Sequence, residues 1–210
     1  PVLDDLTIRL EPGSATVTFR SDDASAFVLG PGVAFTASGV GFRGDGDEGT
    51  GTPGYGIDAP NASDIVLQDV RLELSTNDGL RQVGGTLVAT DVEAVGNVVN
   101  GFWLEGLDSV SMTDVFAFGN GIGVALTTNG GDAILERLTA QTNGSTGLVI
   151  DATGGSVQVL DSRFEDNGSF GEFLFGGGIT VHGRDGAAVT LAGLEVTLNE
   201  AFTGGGIQAA

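Results

Sequence analysis

Leu87-Val88-Ala89-Thr90-Asp91-Val92-Glu93-Ala94-Val95-Gly96-Asn97-Val98-Val99-Asn100-Gly101-Phe102-Trp103-Leu104 is the stretch on which the fold turns. Apolar residues stand four and two places before Asp91, at Leu87 and Ala89, and one and three places after it, at Val92 and Ala94. Asn97 follows, and Gly101-Phe102-Trp103-Leu104 opens a third alternating segment. Short period-two runs bounded by Gly, Asn and Asp mark strands separated by turns.

The arrangement recurs along the chain. Asparagines fall at Asn97, Asn120, Asn143, Asn167 and Asn199, at intervals of 23, 23, 24 and 32 residues. Six places before them lie Asp91, Asp114, Arg137, Asp161 and Gly193. Val110, Met112, Val115 and Ala117 repeat the apolar pattern, as do Ala133, Leu135, Leu138 and Ala140, and Val189, Leu191, Leu194 and Val196. The unit around Asp161 has Ser162 at one apolar place but keeps Val157, Val159 and Phe164. Two earlier units fit with small departures, around Asp69 and Gly39. Third segments open at Gly56, Gly79, Gly101, Gly123, Gly147, Gly178 and Gly206.

Three strands in about 23 residues cannot bury their own apolar face, so units must stack and share one core. A stacked asparagine column has a physical role, because an amide both donates and accepts and can bond its neighbour about 4.8 Å away. Glycines supply the positive φ that such turns demand. An antiparallel sandwich, signalled by Asn143-Gly144 and Asn167-Gly168, would explain the alternation but not the regular asparagine column. A calcium-loaded β-roll needs a Gly-rich nonapeptide that the chain lacks.

The repeat resembles the right-handed parallel β-helix family, the pectate-lyase-like superfold, from about Phe35 to Ala209. The resemblance implies an all-β solenoid with three short strands per ~23-residue rung, about seven to eight rungs and an internal Asn ladder. Residues 1–210 are then a single β-helix domain. Residues 1–30 make an N-terminal cap or irregular first rung, and residues 31–210 the clear rungs. Lyases of this family are expected to use calcium-binding carboxylates with a basic residue, and its glycoside hydrolases N-T-D, D-D, G-H-G and R-I-K motifs. Neither set is found here: Asp22-Asp23 lies outside the clear repeats, and the only histidine reads Val181-His182-Gly183. No catalytic residue is carried over.

Composition narrows the function further. Thirty-seven glycines among 210 residues accompany 40% apolar residues, which rules out a disordered Gly-rich tail. A net charge of −20 argues against nucleic acid, since phosphates would be repelled. No apolar run approaches the ~18 residues that insertion into a membrane needs. All eight basic residues are arginine, so lysine chemistry is absent, and zero cysteines remove disulfides and thiol nucleophiles. The start at Pro1-Val2-Leu3 and the end at Gly206-Ile207-Gln208-Ala209-Ala210 read as a processed or excised part of a longer chain. Further rungs of that chain, or other protein subunits stacked end to end, are expected to cover the last rung.

Loop length varies at one corner only. Two or three residues separate Asn97, Asn120 and Asn143 from the next third-strand glycine, but ten do so after Asn167 and six after Asn199. Ten also separate Asp45, read as taking the ladder place, from Gly56. Insertions at one corner gather on one side of a solenoid, often its binding side. The third strand borders that side, and its outward residues run Asp58, Arg81, Trp103, Ala125, Val149, Thr180 and Gln208, flanked by Glu105, Thr127, Asp151 and His182. Arg81, Trp103 and Glu105 could stack and bond a sugar, with Phe170 and Phe173 of the second long loop as further ligand-binding candidates; the plain alternative packs those rings over the solenoid side.

Asp151 and His182, one rung apart, are the candidates for an acid/base pair, against a simple surface ion pair. Asp45, Asp47 and Glu48 offer hard oxygens for calcium, the one cofactor considered, although acidic turns also simply solvate a solenoid. Two glycosylation sequons, at Asn143 and Asn167, coincide with the inward ladder, which argues against modification there. The expected function is a non-enzymatic structural or adhesive module, extracellular or at a cell surface and of bacterial type, with a polysaccharide-binding or polysaccharide-cleaving domain as the alternative.

Overall fold

The computed structural model describes residues 5–9, 17–21, 25–45, 54–60, 64–168, 177–201 and 205–210. All regular structure among them is β-strand. In the rung that contains the opening stretch, Thr86–Val95 forms one continuous strand and Asn100–Glu105 the third segment. The first two segments merge because the bend between them takes a single residue. Asp91 sits at φ 53°, in the left-handed region. That one residue adds an extra outward place, so Ala89 and Val92 are both buried though three positions apart. The apolar pattern around Asp91 is therefore the imprint of a corner.

The corner stacks as a column of left-handed residues: Gly39, Asp69, Asp91, Asp114, Arg137, Asp161 and Gly193. Every strand pairs in parallel with its equivalent in the next rung. Leu87, for example, lies between Ile65 and Val110, and Ala94 between Leu72 and Ala117. The third strands form a separate eight-stranded sheet that runs from Phe27–Val28 to Ile207–Ala209. Asp5–Arg9 and Val17–Ser21 pair in parallel with Ala34–Ser38 and Val40–Gly44, and Phe27–Val28 with Ile57–Ala59. The N-terminal segment thus stacks as a further rung.

The core is a continuous apolar column. Phe19, Phe27, Phe35 and Phe42 pack ring on ring at its N-terminal end, with Phe19 and Phe42 stacked 5.4 Å apart. Mostly aliphatic residues follow, in columns such as Ile57, Leu80, Phe102, Val124, Leu148 and Ile179. Valine, leucine and alanine suit this place because they fill a layer of fixed depth without a polar atom to satisfy. In the last rung the equivalents Val189, Leu191, Leu194 and Val196 are only half-buried, and Ile207 is exposed.

The asparagines line the second corner as one hydrogen-bonded chain. Asn97 donates through its backbone N–H and Nδ2 to Oδ1 of Asn120, at 3.0 and 2.9 Å. Asn120 does the same to Asn143, Asn143 to Asn167, and Asn167 to Asn199. Each Nδ2 also reaches a strand carbonyl: Leu72, Ala94, Ala117, Ala140 or Phe164. Buried amides with every bond made are the condition under which a polar column belongs in a core. The column is headed by Ser75, whose N–H donates to Asn97 Oδ1, while its Oγ accepts from Gly44 N–H. Asp45 does not take that place as expected: its carboxylate holds Arg43 Nε at 2.9 Å. The neighbouring Gly44 holds the ladder register of that rung: its N–H meets Ser75 Oγ and its carbonyl accepts from Thr76 N–H, as those of Ser75 meet Asn97 Oδ1 and Val98 N–H.

One further correction concerns the glycines that open the third strands. Gly101 is not at positive φ; its backbone passes so close to the next rung that a Cβ would lie 2.6 Å from Gly123 O and 3.1 Å from Asn120 Nδ2. Close approach, not turn conformation, demands glycine there.

Candidate functional site

The sheet of third strands places its outward residues in two adjoining columns. Asp58 lies beside Arg81, Arg81 beside Trp103, Trp103 beside Ala125, then Val149, Thr180 and Gln208. Glu105, Thr127, Asp151 and His182 form the second column. Thr180, read from sequence as surface, is only 4% exposed and leaves the candidate face.

At the N-terminal end of this face the side chains converge. Arg81 Nη1 donates to Asp58 Oδ1 at 3.1 Å. Its guanidinium carbon lies 4.9 Å from the centre of the Trp103 ring and 5.6 Å from that of Tyr55. A guanidinium held over two aromatic faces is bound by their quadrupoles, which fixes an otherwise flexible side chain. Arg81 Nε is buried and makes no hydrogen bond. Burial raises the Tyr55 pKa, opposed by the nearby charge of Arg81.

Just before the strand that carries Arg81 lies Asp78, 3% exposed, whose Oδ1 accepts from the backbone N–H and Nδ2 of Asn100, at 3.0 and 2.7 Å. Burial pushes its pKa up to about 6, against the pull of the Asn100 bonds and of Arg81. Asp78 and Asn100 repeat in miniature the bonding of the Asn ladder. The turn that carries Asp78 also ties the stems of the first long loop. Thr76 N–H bonds Gly44 O, Asn77 N–H bonds Gly54 O, and Gly54 N–H reaches Thr76 Oγ1. The loop therefore leaves from, and returns to, the edge of the Arg81 cluster. Asp47, Glu48, Phe170 and Phe173 lie outside the described residues, so of the calcium and loop-ring candidates only Asp45 is placed.

The acid/base candidates are neighbours without being bonded partners. Asp151 and His182 face each other in register, but the hydrogen bond Asp151 makes is with Arg184 Nη2, at 3.3 Å. Glu105 sits in the same column two rungs from Asp151 and diagonal to Arg81.

A second concave feature lies at the opposite corner. A groove of about 350 Å³ runs past Asp69, Asp91 and Asp114 on one wall and Arg71, Glu93 and Phe116 on the other. Its ions are largely engaged: Arg137 clasps Asp114 with bonds of 2.7 and 2.9 Å, and Arg71 holds Glu73 and Glu93. Tyr55 and Asp58 belong to the Arg81 cluster but were missed as a set. Asp58 was visible one rung from Arg81, whereas Tyr55 comes from a turn whose direction no alternation encodes.

These features define the class: a parallel β-solenoid with a buried amide ladder and one aromatic–arginine cluster beside a looped corner. The chain belongs to the right-handed β-helix family, whose model, described as a right handed beta helix region, matches residues 50–210. No curated protein and no solved structure gives a significant match.

Proposed function

We propose that this chain is a non-enzymatic β-helical module, structural or adhesive, acting outside the cell or at a cell surface, and that it meets a saccharide through the Arg81–Trp103 face. The observation that supports this reading is the cluster itself. Trp103 is half-exposed, anchored from one side by Arg81, with Glu105 two places along the same strand. A fixed ring offers the C–H face of a sugar a stacking surface, and flanking carboxylates accept from its hydroxyls. Asp151 accepts from Arg184 through Oδ2, and no hydrogen bond joins it to His182, which gives the acid/base reading no bonded pair to rest on.

A panel of acidic and neutral polysaccharides, with and without calcium, tests both halves of the proposal. Binding should weaken about tenfold in Trp103→Ala, the worth of one aromatic contact, with no new reducing or unsaturated ends. Release of such ends by the wild-type chain would overturn the non-enzymatic half. Binding untouched by Trp103→Ala would move the ligand elsewhere.

A further inference from the structure

We infer that the chain stacks head to tail on itself: the rung that closes with Ile207–Ala209 is a docking face for the first rung of a second copy. The inference is independent of the saccharide reading above. Among the described residues, Ala188–Ala192, Glu195–Thr197 and Ile207–Ala209 each pair with one strand only, and their other edges are free. Beside them lies a hollow of about 450 Å³ lined by Val181, Val189, Leu191 and Ala209. Free strand edges next to uncovered core side chains are a template for a further strand.

The ladder defines the kind of partner that fits. Each rung donates toward the C-terminal side and accepts from the N-terminal side, so the column has a direction. Asn199 Oδ1 accepts from Asn167, but the Asn199 N–H meets no acceptor among the described residues. A twofold contact through this face would oppose the strands and bring donors toward donors. A parallel rung with an oxygen at the ladder place completes the column instead. In the first rung Ser21 stands in register with Gly44, at that place, and serine already accepts in the column at Ser75.

The apolar columns point to the same occupant. Followed from rung to rung, the column that starts at Ile8 ends at Leu191. Phe19 starts the one that ends at Val196, and Phe27 the one that ends at Ile207. Ile8, Phe19, Phe27, Leu191 and Val196 are only partly covered within one chain, and Ile207 is 47% exposed. Head-to-tail stacking sets apolar residue on apolar residue in all three columns and brings two phenylalanines to the hollow end. The strands of the first rung likewise pair on one side only. Such a contact joins two different faces and need not close, so it builds open chains.

The chain has no cysteine, so an engineered disulfide can report the contact. Thr7 and Thr190 start and end one further column. Across a head-to-tail junction their Cα atoms would lie about 4.8 Å apart, within disulfide reach. Oxidised Thr7→Cys/Thr190→Cys should run as dimers, trimers and longer species on a denaturing gel, and neither single variant should. No such series from the pair, or equal cross-linking by a single variant, overturns the inference. Light scattering should show a mean mass that grows with protein concentration and with added salt, which screens the charge of −20 on each copy. Ile207→Asp should weaken association about tenfold or more with the circular dichroism spectrum kept. Val98→Asp, at an exposed apolar position in a middle rung, should leave association unchanged. Because Ile207→Asp still offers its first rung, adding it to the wild type should shorten the assemblies more than dilution does. A mass that stays at one chain at every concentration, falls with salt, or responds equally to both aspartates sinks the proposal.

Discussion

The two corners of each rung use the same backbone device and treat their side chains in opposite ways. At the first corner Gly39, Asp69, Asp91, Asp114, Arg137, Asp161 and Gly193 all turn the chain at positive φ. At the second, the residues just before the ladder, from Leu74 and Gly96 to Asp166 and Leu198, do the same. Yet the first column accepts glycine, aspartate and arginine, while the ladder beside the second is asparagine from Asn97 to Asn199. Backbone geometry cannot be the selector, since both corners share it. Solvent is the difference. Asp69, Asp91, Asp114, Arg137 and Asp161 are exposed, whereas Asn97, Asn120, Asn143 and Asn167 are no more than 1% exposed. Water satisfies any polar group at the first corner; at the second only a side chain that donates and accepts closes the bonding of the rungs above and below.

Asn120→Leu should break this contrast most severely. It strands the Asn97 N–H and the Ala94 carbonyl inside the stack, takes from Asn97 Nδ2 its acceptor on residue 120, and leaves Asn143 Oδ1 only the backbone N–H of that residue. Buried groups left unbonded cost 1–3 kcal/mol each, so the loss should be about 4 kcal/mol in an equilibrium denaturant curve. A midpoint equal to the wild type's would show that the column is not a working ladder.

Gly101→Ala probes the neighbouring requirement for space. The new Cβ meets the Gly123 carbonyl and the Asn120 amide, neither of which can swing aside. Overpacking of this kind should cost about 2–3 kcal/mol. If alanine were tolerated, the ladder and the third strand would have to be less tightly coupled than the structure has them.

Asp91→Gly at the exposed corner should change stability least. Glycine relieves a left-handed aspartate but frees the unfolded chain, and the two effects oppose, leaving less than about 1 kcal/mol of either sign. A loss comparable to that of Asn120→Leu would erase the distinction between the corners and make Asp91 a structural partner in its own right.

The same contrast explains what was legible beforehand. The ladder asparagines could be read because burial removes every alternative, which forces one residue type to recur at rung spacing. The apolar columns were readable for the same reason: Leu87, Val110 and Ala133 sit at equivalent inward places and share one chemistry. The first corner was seen only as a register mark, since a column that admits Gly, Asp and Arg shows no identity to follow. The pairing of Arg81 with Trp103 followed from strand alternation alone.

Side chains that arrive from turns did not. Tyr55 reaches Arg81 because the stem of the first long loop is tied back by Thr76 and Asn77. The turn also buries Asp78 under the sheet edge, where it acquires its raised pKa. By itself the sequence determined the solenoid, its core and its ladder, because periodicity repeated over many rungs leaves one arrangement that buries the apolar face. Only the tertiary structure decided which carboxylates meet Arg81, that Asp151 bonds Arg184 rather than His182, and that Ser75, not Asp45, heads the ladder. Those outcomes depend on single contacts at turns and edges, where no repeat averages the choice and the chain's direction is set by a few local hydrogen bonds.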